Sequence, residues 1–220
     1  MRAIDIIKHK IKEGGTCVDV GASFGEITTE LLNAVGDNGK VYAFEPSMGS
    51  YYELLKIASL RDNLRVYNSA VGESNKVSII LQDPASLSER YNHSYGNGVN
   101  PREVRCVNID SLDIGYIDFI VIDCQGSEYE VFKGMKNLIN TQVNIKILSA
   151  FWNIGITECG NGRYTGKDYL QDLRDNEFKI YEIDKYLGKM EEIGDLDRFV
   201  LRYPLKKKRQ NNLVFIYAER

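Results

Sequence analysis

Short apolar runs alternate with stretches of helical spacing through the first half of the chain, the pattern of a parallel sheet flanked by helices. Cys17 to Val20 reads as a strand and runs into the turn Gly21-Ala22-Ser23-Phe24-Gly25. Ile27, Leu31, Leu32 and Val35 then recur at the spacing of one helix face. Val41 to Phe44 is a second strand, Met48 to Leu60 a second helix, and Leu64 to Tyr67 a third strand. Ile117 to Ile122 is nearly all apolar, as expected of a central strand covered on both faces. A helix is predicted over Glu128 to Ile139 and a strand over Val143 to Phe151. A helix near Tyr169 to Arg174 and strands at Phe178 to Ile183 and Leu213 to Tyr217 follow. Val77 to Leu81 and Val104 to Ile109 read as extra strands bracketing the polar stretch Asp83 to Pro101. No repeat or linker interrupts the pattern. The expectation is one domain over 1–220, with 76–109 a β and loop insertion near the acceptor site.

Composition adds exclusions rather than a fold. Hydrophobic residues make up 43 % and charged residues 27 % of 220, ordinary globular usage. The formal charge of −3 does not suit a nucleic-acid-coating protein, so no nucleic-acid partner is expected. No run reaches the roughly 20 apolar residues of a membrane span. The first residues, with Ile4, Ile7 and Ile11 on one stripe, read as an amphipathic helix and lack a signal-peptide core. Cys17, Cys106, Cys124 and Cys159 show no CxxC spacing. A reduced, cytoplasmic protein is expected.

The turn after the first strand carries the clearest chemistry. Glycines at 21 and 25 let backbone approach a ligand, and the following helix presents unpaired N–H groups. Glu45 closes the next strand about 20 residues on, the place of a ribose-binding acid in dinucleotide folds. The glycines do not follow G-x-G-x-x-G, and Asp19 stands two residues ahead of the first. A carboxylate there repels a pyrophosphate but can hold an ammonium, directly or through water. S-adenosylmethionine has an amine and a ribose diol and no phosphate, so the set favours a methyl donor over a nicotinamide cofactor.

These residues resemble class I methyltransferases and, more narrowly, the FkbM-like family. The likeness is carried by Val18 to Gly25 with Ala43-Phe44-Glu45-Pro46-Ser47, and by Asn108 to Leu112 leading into Ile117 to Glu128. Phe178 to Asp184 with Asn212 to Ile216 completes it. Asp123-Cys124-Gln125-Gly126-Ser127-Glu128 is the most specific stretch. The resemblance implies a Rossmann-like α/β fold, with a seven-stranded, mostly parallel sheet and an antiparallel last strand. It implies O-methyl transfer to a hydroxyl of a sugar, glycan or glycosylated small molecule. It extends the cofactor set of Asp19, Gly21, Ala22, Ser23, Phe24, Gly25 and Glu45 to Pro46, Ser47, Ala70, Asp123 and Gln125. The chain departs from the family at Ser23, where Asn is usual, at Val121, where Lys is usual, and at Ala150, near which an acid is often found.

Asp123 ends the strand beside the cofactor strand, at the edge where open α/β sheets bind ligands, and is the first candidate for base or acceptor anchor. His93 is the second, on the unperturbed pKa of an imidazole. Tyr91 and Tyr95 beside it could stack on sugar faces. Glu128, Trp152 and Asn153 complete the acceptor set. Two histidines far apart, and carboxylates without ligand spacing, give no metal site. The competing readings are a methyltransferase for another small molecule and a nucleoside-binding protein of this fold without turnover.

Overall fold

The computed structural model describes residues 3–80, 102–184, 189–203 and 214–220. Helix α1 (Ala3–Lys10) leads into β1 (Thr16–Val20), α2 (Glu26–Val35), β2 (Lys40–Phe44), α3 (Met48–Ala58) and β3 (Leu64–Tyr67). The short β4 (Ala70–Val71), β5 (Lys76–Ile80) and β6 (Arg102–Val107) follow. Next come β7 (Phe119–Ile122), α4 (Glu128–Lys133), α5 (Lys136–Thr141), β8 (Lys146–Phe151), α6 (Asn153–Cys159) and α7 (Gly166–Asp175). β9 (Lys179–Asp184), β10 (Lys189–Glu192), α8 (Leu196–Leu201) and β11 (Val214–Glu219) close the chain.

The main sheet runs β10-β9-β11-β8-β7-β1-β2-β3. The strands from β8 to β3 pair in parallel, whereas β11 pairs antiparallel with both β8 and β9. The expected seven strands with an antiparallel last one are present, and β10 is an eighth, pairing antiparallel with β9. Its sequence, Lys189-Met190-Glu191-Glu192, escapes a pattern reading because an exposed edge strand buries almost nothing. A second sheet, β4-β6-β5, contains the two predicted extra strands.

Period-two alternation sorts the central strands onto two cores. Val18 and Val20 of β1 and Ile120 and Ile122 of β7 pack on one face, with Phe132 and Leu170. Cys17 of β1 and Phe119 and Val121 of β7 pack on the other, with Leu31, Leu32 and Val35 of α2. By the same alternation Asp19 lies on the α2 face, in register with Val121. The single helix predicted over Glu128 to Ile139 is instead α4 and α5, broken at Gly134 and Met135. Gly134 lies so close to the small sheet that a Cβ there would be 2.0 Å from the Gly72 carbonyl oxygen. Nearby, Lys133 bridges Glu130 of α4 at 3.0 Å and Glu73 at 2.9 Å, and its ammonium lies over the Tyr164 ring. No described helix is long and apolar enough to cross a membrane.

Candidate functional site

Neighbouring strands β2, β1 and β7 run parallel and end at one edge of the sheet, each bringing a carboxylate there: Glu45, Asp19 and Asp123. The turn after β1 hangs from the end of β2, because Gly21 and Ala22 both donate to the Phe44 carbonyl, at 3.0 and 3.1 Å. Gly21 has φ +83, and a Cβ on it would lie 2.1 Å from the Asp123 carbonyl oxygen. Only glycine lets the two strand ends approach so closely. Ser23 takes φ +49, and its N–H donates to Glu45 Oε2 at 2.8 Å. Ser47 N–H donates to Oε1 of the same carboxylate at 2.7 Å. Glu45 is thereby fixed between the turn and the loop after β2. Sequence reasoning missed Asn68, whose amide donates to the carbonyls of Glu45 and Pro46 at 2.9 and 3.1 Å and fixes that loop. No spacing rule marks an asparagine after an edge strand for such a role. Ala70 is partly buried at the start of β4, two residues beyond Asn68, and Phe24 is partly buried in the turn.

Asp19 sits deeper than the sequence suggests. It is 1 % exposed and accepts a hydrogen bond from Thr28 Oγ1 of α2 at 2.6 Å. Burial pushes its carboxyl up to about 7, the Thr28 hydroxyl opposes this, and Asp123 and Glu45 add to the rise. The carboxylate that the sequence places near a ligand ammonium, directly or through water, lies beneath the turn and is engaged by Thr28. Thr28 was also missed. Its signal was a hydroxyl one turn into α2, on the helix face that is otherwise apolar.

The loop after β7 is held from below. Asp123 N–H continues the ladder to the Val20 carbonyl at 2.9 Å. Gln125 and Gly126 both have positive φ, +57 and +106. Glu128, 0 % exposed, accepts from Cys124 N–H at 3.2 Å and from Gly126 N–H at 2.9 Å. Burial pushes its carboxyl up to about 7 against those hydrogen bonds. Expected to face the acceptor, Glu128 instead braces the loop that carries Asp123 and Gln125. Asp123 itself is partly exposed and raised to about 6 by desolvation. Its Oδ1 lies 3.4 Å from Gln125 Nε2.

The far side of this loop meets α6 backbone to backbone, since a Cβ on Gly126 would lie 2.7 Å from the Gly155 carbonyl. Trp152 packs its ring over Gly155, 2.1 Å from where a Cβ would stand, and so backs the contact. Asn153, also expected at the acceptor, is 2 % exposed and satisfied on both sides. Its amide donates to the Tyr203 carbonyl at 2.8 Å, and its oxygen accepts from Gly166 N–H at 3.1 Å. It is a latch between α6, the start of α7 and the segment that follows α8. His93, Tyr91 and Tyr95 lie outside the described residues. Among the described residues no group of three or more His, Cys, Asp or Glu could hold a metal ion. None of their ion pairs involves Asp19, Asp123 or Glu128.

Residues 19–200 match the family model described as the methyltransferase FkbM domain. No curated protein matches the chain significantly. Among solved structures, methyltransferase FkbM from Methylobacillus flagellatus KT is similar at 16 % identity and a TM-score of 0.55. The alignment covers 94 % of this chain and 44 % of that protein, so the chain spans less than half its length. Aeropyrum pernix fibrillarin, solved with natively bound S-adenosyl-L-methionine, is similar at 15 % identity, TM-score 0.52, covering 98 % and 73 %. An rRNA methylase from Streptococcus thermophilus gives 10 % identity, TM-score 0.52, covering 99 % and 93 %. At these identities the likenesses establish the fold.

Proposed function

The chain belongs to the FkbM methyltransferase family with S-adenosylmethionine as its cofactor, and we propose that it methylates a hydroxyl of a sugar, glycan or glycosylated small molecule. The residues fit a ligand carrying positive charge. Asp19, Glu45 and Asp123 converge on one sheet edge, and Asp19 and Asp123 enter no ion pair among the described residues. Glu45, held at the end of β2 by the N–H groups of Ser23 and Ser47, suits the ribose diol, and the Gly21 to Gly25 turn lies beside it. When bound, the sulfonium supplies an electrophilic methyl group open to in-line attack.

The observation that carries O-methylation is Asp123. It stands at the ligand edge of β7 and is partly exposed, with its carboxyl raised to about 6. Near neutrality such a group is ionised yet basic enough to take the proton of an attacking hydroxyl. Gln125 Nε2 engages Oδ1, which leaves Oδ2 for the acceptor. The braced loop keeps this carboxylate in place, and positioning of the two reactants supplies much of the acceleration.

The test is transfer of a labelled methyl group to a panel of glycosides and nucleotide sugars, with the product bond assigned by NMR. The expected product is a methyl ether. Asp123→Asn should lower turnover about a hundredfold, and the wild-type rate should rise with pH through about 6 and then level. Methyl found only on nitrogen or carbon would overturn the proposal.

A further inference from the structure

Gln125 holds a polar atom that its surroundings leave unsatisfied: Oε1 is buried and has no hydrogen-bond partner. Such orphans are rare in folded proteins and cost the free energy of desolvation until a partner arrives. The loop cannot relax to satisfy this one. Glu128 ties down the N–H groups of Cys124 and Gly126 on either side of Gln125. Gly126 is pressed against Gly155, and Gln125 itself is held at φ +57. The amide's orientation is set as well, because Nε2 is the end that faces the Asp123 carboxylate, at 3.4 Å.

The neighbouring polar groups restrict what can satisfy the carbonyl. Asp123, two residues before it, offers carboxylate acceptors and forms no ion pair among the described residues, whereas the Glu128 carboxylate is taken up by the loop N–H groups. Asp19 adds negative charge from below, where its carboxylate already accepts from Thr28 Oγ1. A hydroxyl would bring lone pairs of its own into this ring of acceptors. An ammonium has three N–H donors and no lone pair, and so complements it.

We propose that the side-chain carbonyl of Gln125 receives the α-ammonium of the methyl donor, the contact the sequence had suggested for Asp19. The inference rests on the cofactor assignment above and is independent of which atom of the acceptor is methylated.

Calorimetric titration of the whole chain tests it, using S-adenosylhomocysteine and 5′-methylthioadenosine, which keeps the nucleoside but lacks the amino-acid arm. Gln125→Met preserves length and removes the carbonyl. It should weaken S-adenosylhomocysteine binding about tenfold and leave 5′-methylthioadenosine unchanged. Gln125→Glu retains acceptor oxygens, and should bind S-adenosylhomocysteine at least as tightly as wild type. Unchanged binding of S-adenosylhomocysteine by Gln125→Met, or equal loss of both ligands, would overturn the assignment. If Gln125→Met fails to fold, Gln125→Glu still decides: its preference for S-adenosylhomocysteine over 5′-methylthioadenosine must equal or exceed that of wild type, and a lower preference refutes the contact. A failure of O-methylation would leave every one of these readouts intact, so the two proposals fail separately.

Discussion

Asp19→Asn removes a buried charge while keeping an oxygen to accept from Thr28 Oγ1, so it isolates the cost of ionising a carboxyl at this depth. In the folded chain that carboxyl titrates at about 7 against an ordinary value of 3.8, chiefly because it is buried. Between those two pH values the folded state holds the proton more tightly than the unfolded state. Stability therefore falls as pH rises through this window, and the loss is complete above the folded-state value. A shift of that size corresponds to on the order of 4 kcal/mol. The part lying above about pH 5 is roughly 3 kcal/mol. Urea unfolding of wild type and Asp19→Asn at about pH 5 and about pH 8 measures it. The wild type should lose about 3 kcal/mol more than the variant between the two conditions, and the variant should be the more stable protein at the higher pH. The positively charged donor should draw the same proton off. Heats of S-adenosylmethionine binding near pH 7 should then change with the ionisation enthalpy of the buffer. Parallel pH slopes for the two proteins, or a variant less stable at both pH values, would refute the assignment of this charge.

Two further substitutions probe the frame around the site. Val121→Lys places a cation on the strand position in register with Asp19 and on the same face of the sheet, where the family usually carries lysine. It should hold Asp19 ionised and flatten the pH dependence of urea unfolding between about pH 5 and 8; a slope equal to that of wild type would show that the two groups do not meet. Gly126→Ala puts a Cβ 2.7 Å from the Gly155 backbone at φ +106, and should cost about 2–4 kcal/mol in urea unfolding. Gly162→Ala is the control: φ is +73 but nothing lies within 4 Å, so only the backbone cost of about 1 kcal/mol is expected.

Where a segment buries a regular face, the sequence was enough to find it. β7 emerged within a few residues of its observed ends because both its faces are covered and its apolar run is unbroken, and β1, β2 and β3 emerged because short apolar stretches stand out between turn and helix signals. α2 emerged because Leu31, Leu32 and Val35 lie on one stripe. The turn after β1 and the acid after β2 were legible because each stands directly at the end of a strand that the apolar pattern marks. Elements defined by distant contacts were not. The split between α4 and α5 depends on Gly72 pressing against Gly134 across the small sheet, which no local pattern encodes. The short α6 and α8, seven and six residues long, offer too few turns for a helical period to stand out.

Among polar side chains the decisive variable was depth, and a sequence carries little of it. Asp19, Glu128 and Asn153 are as polar as any candidate, and all three proved fully buried. Their partners range from local, the Cys124 and Gly126 N–H groups beside Glu128 and Thr28 on the helix after Asp19, to distant, the Tyr203 carbonyl fifty residues beyond Asn153, and in each case the turn geometry that makes the contact is not written in the pattern. Asp123 differs because it follows the central strand at the open edge, where burial is incomplete. That distinction divides the acidic residues by role. Asp19 lies beneath the turn and Glu128 holds the loop, while Asp123 and Gln125 stand at the partly exposed edge. A mutation at either buried carboxylate should therefore act first on stability and its pH dependence. A mutation at the edge should act first on binding and rate.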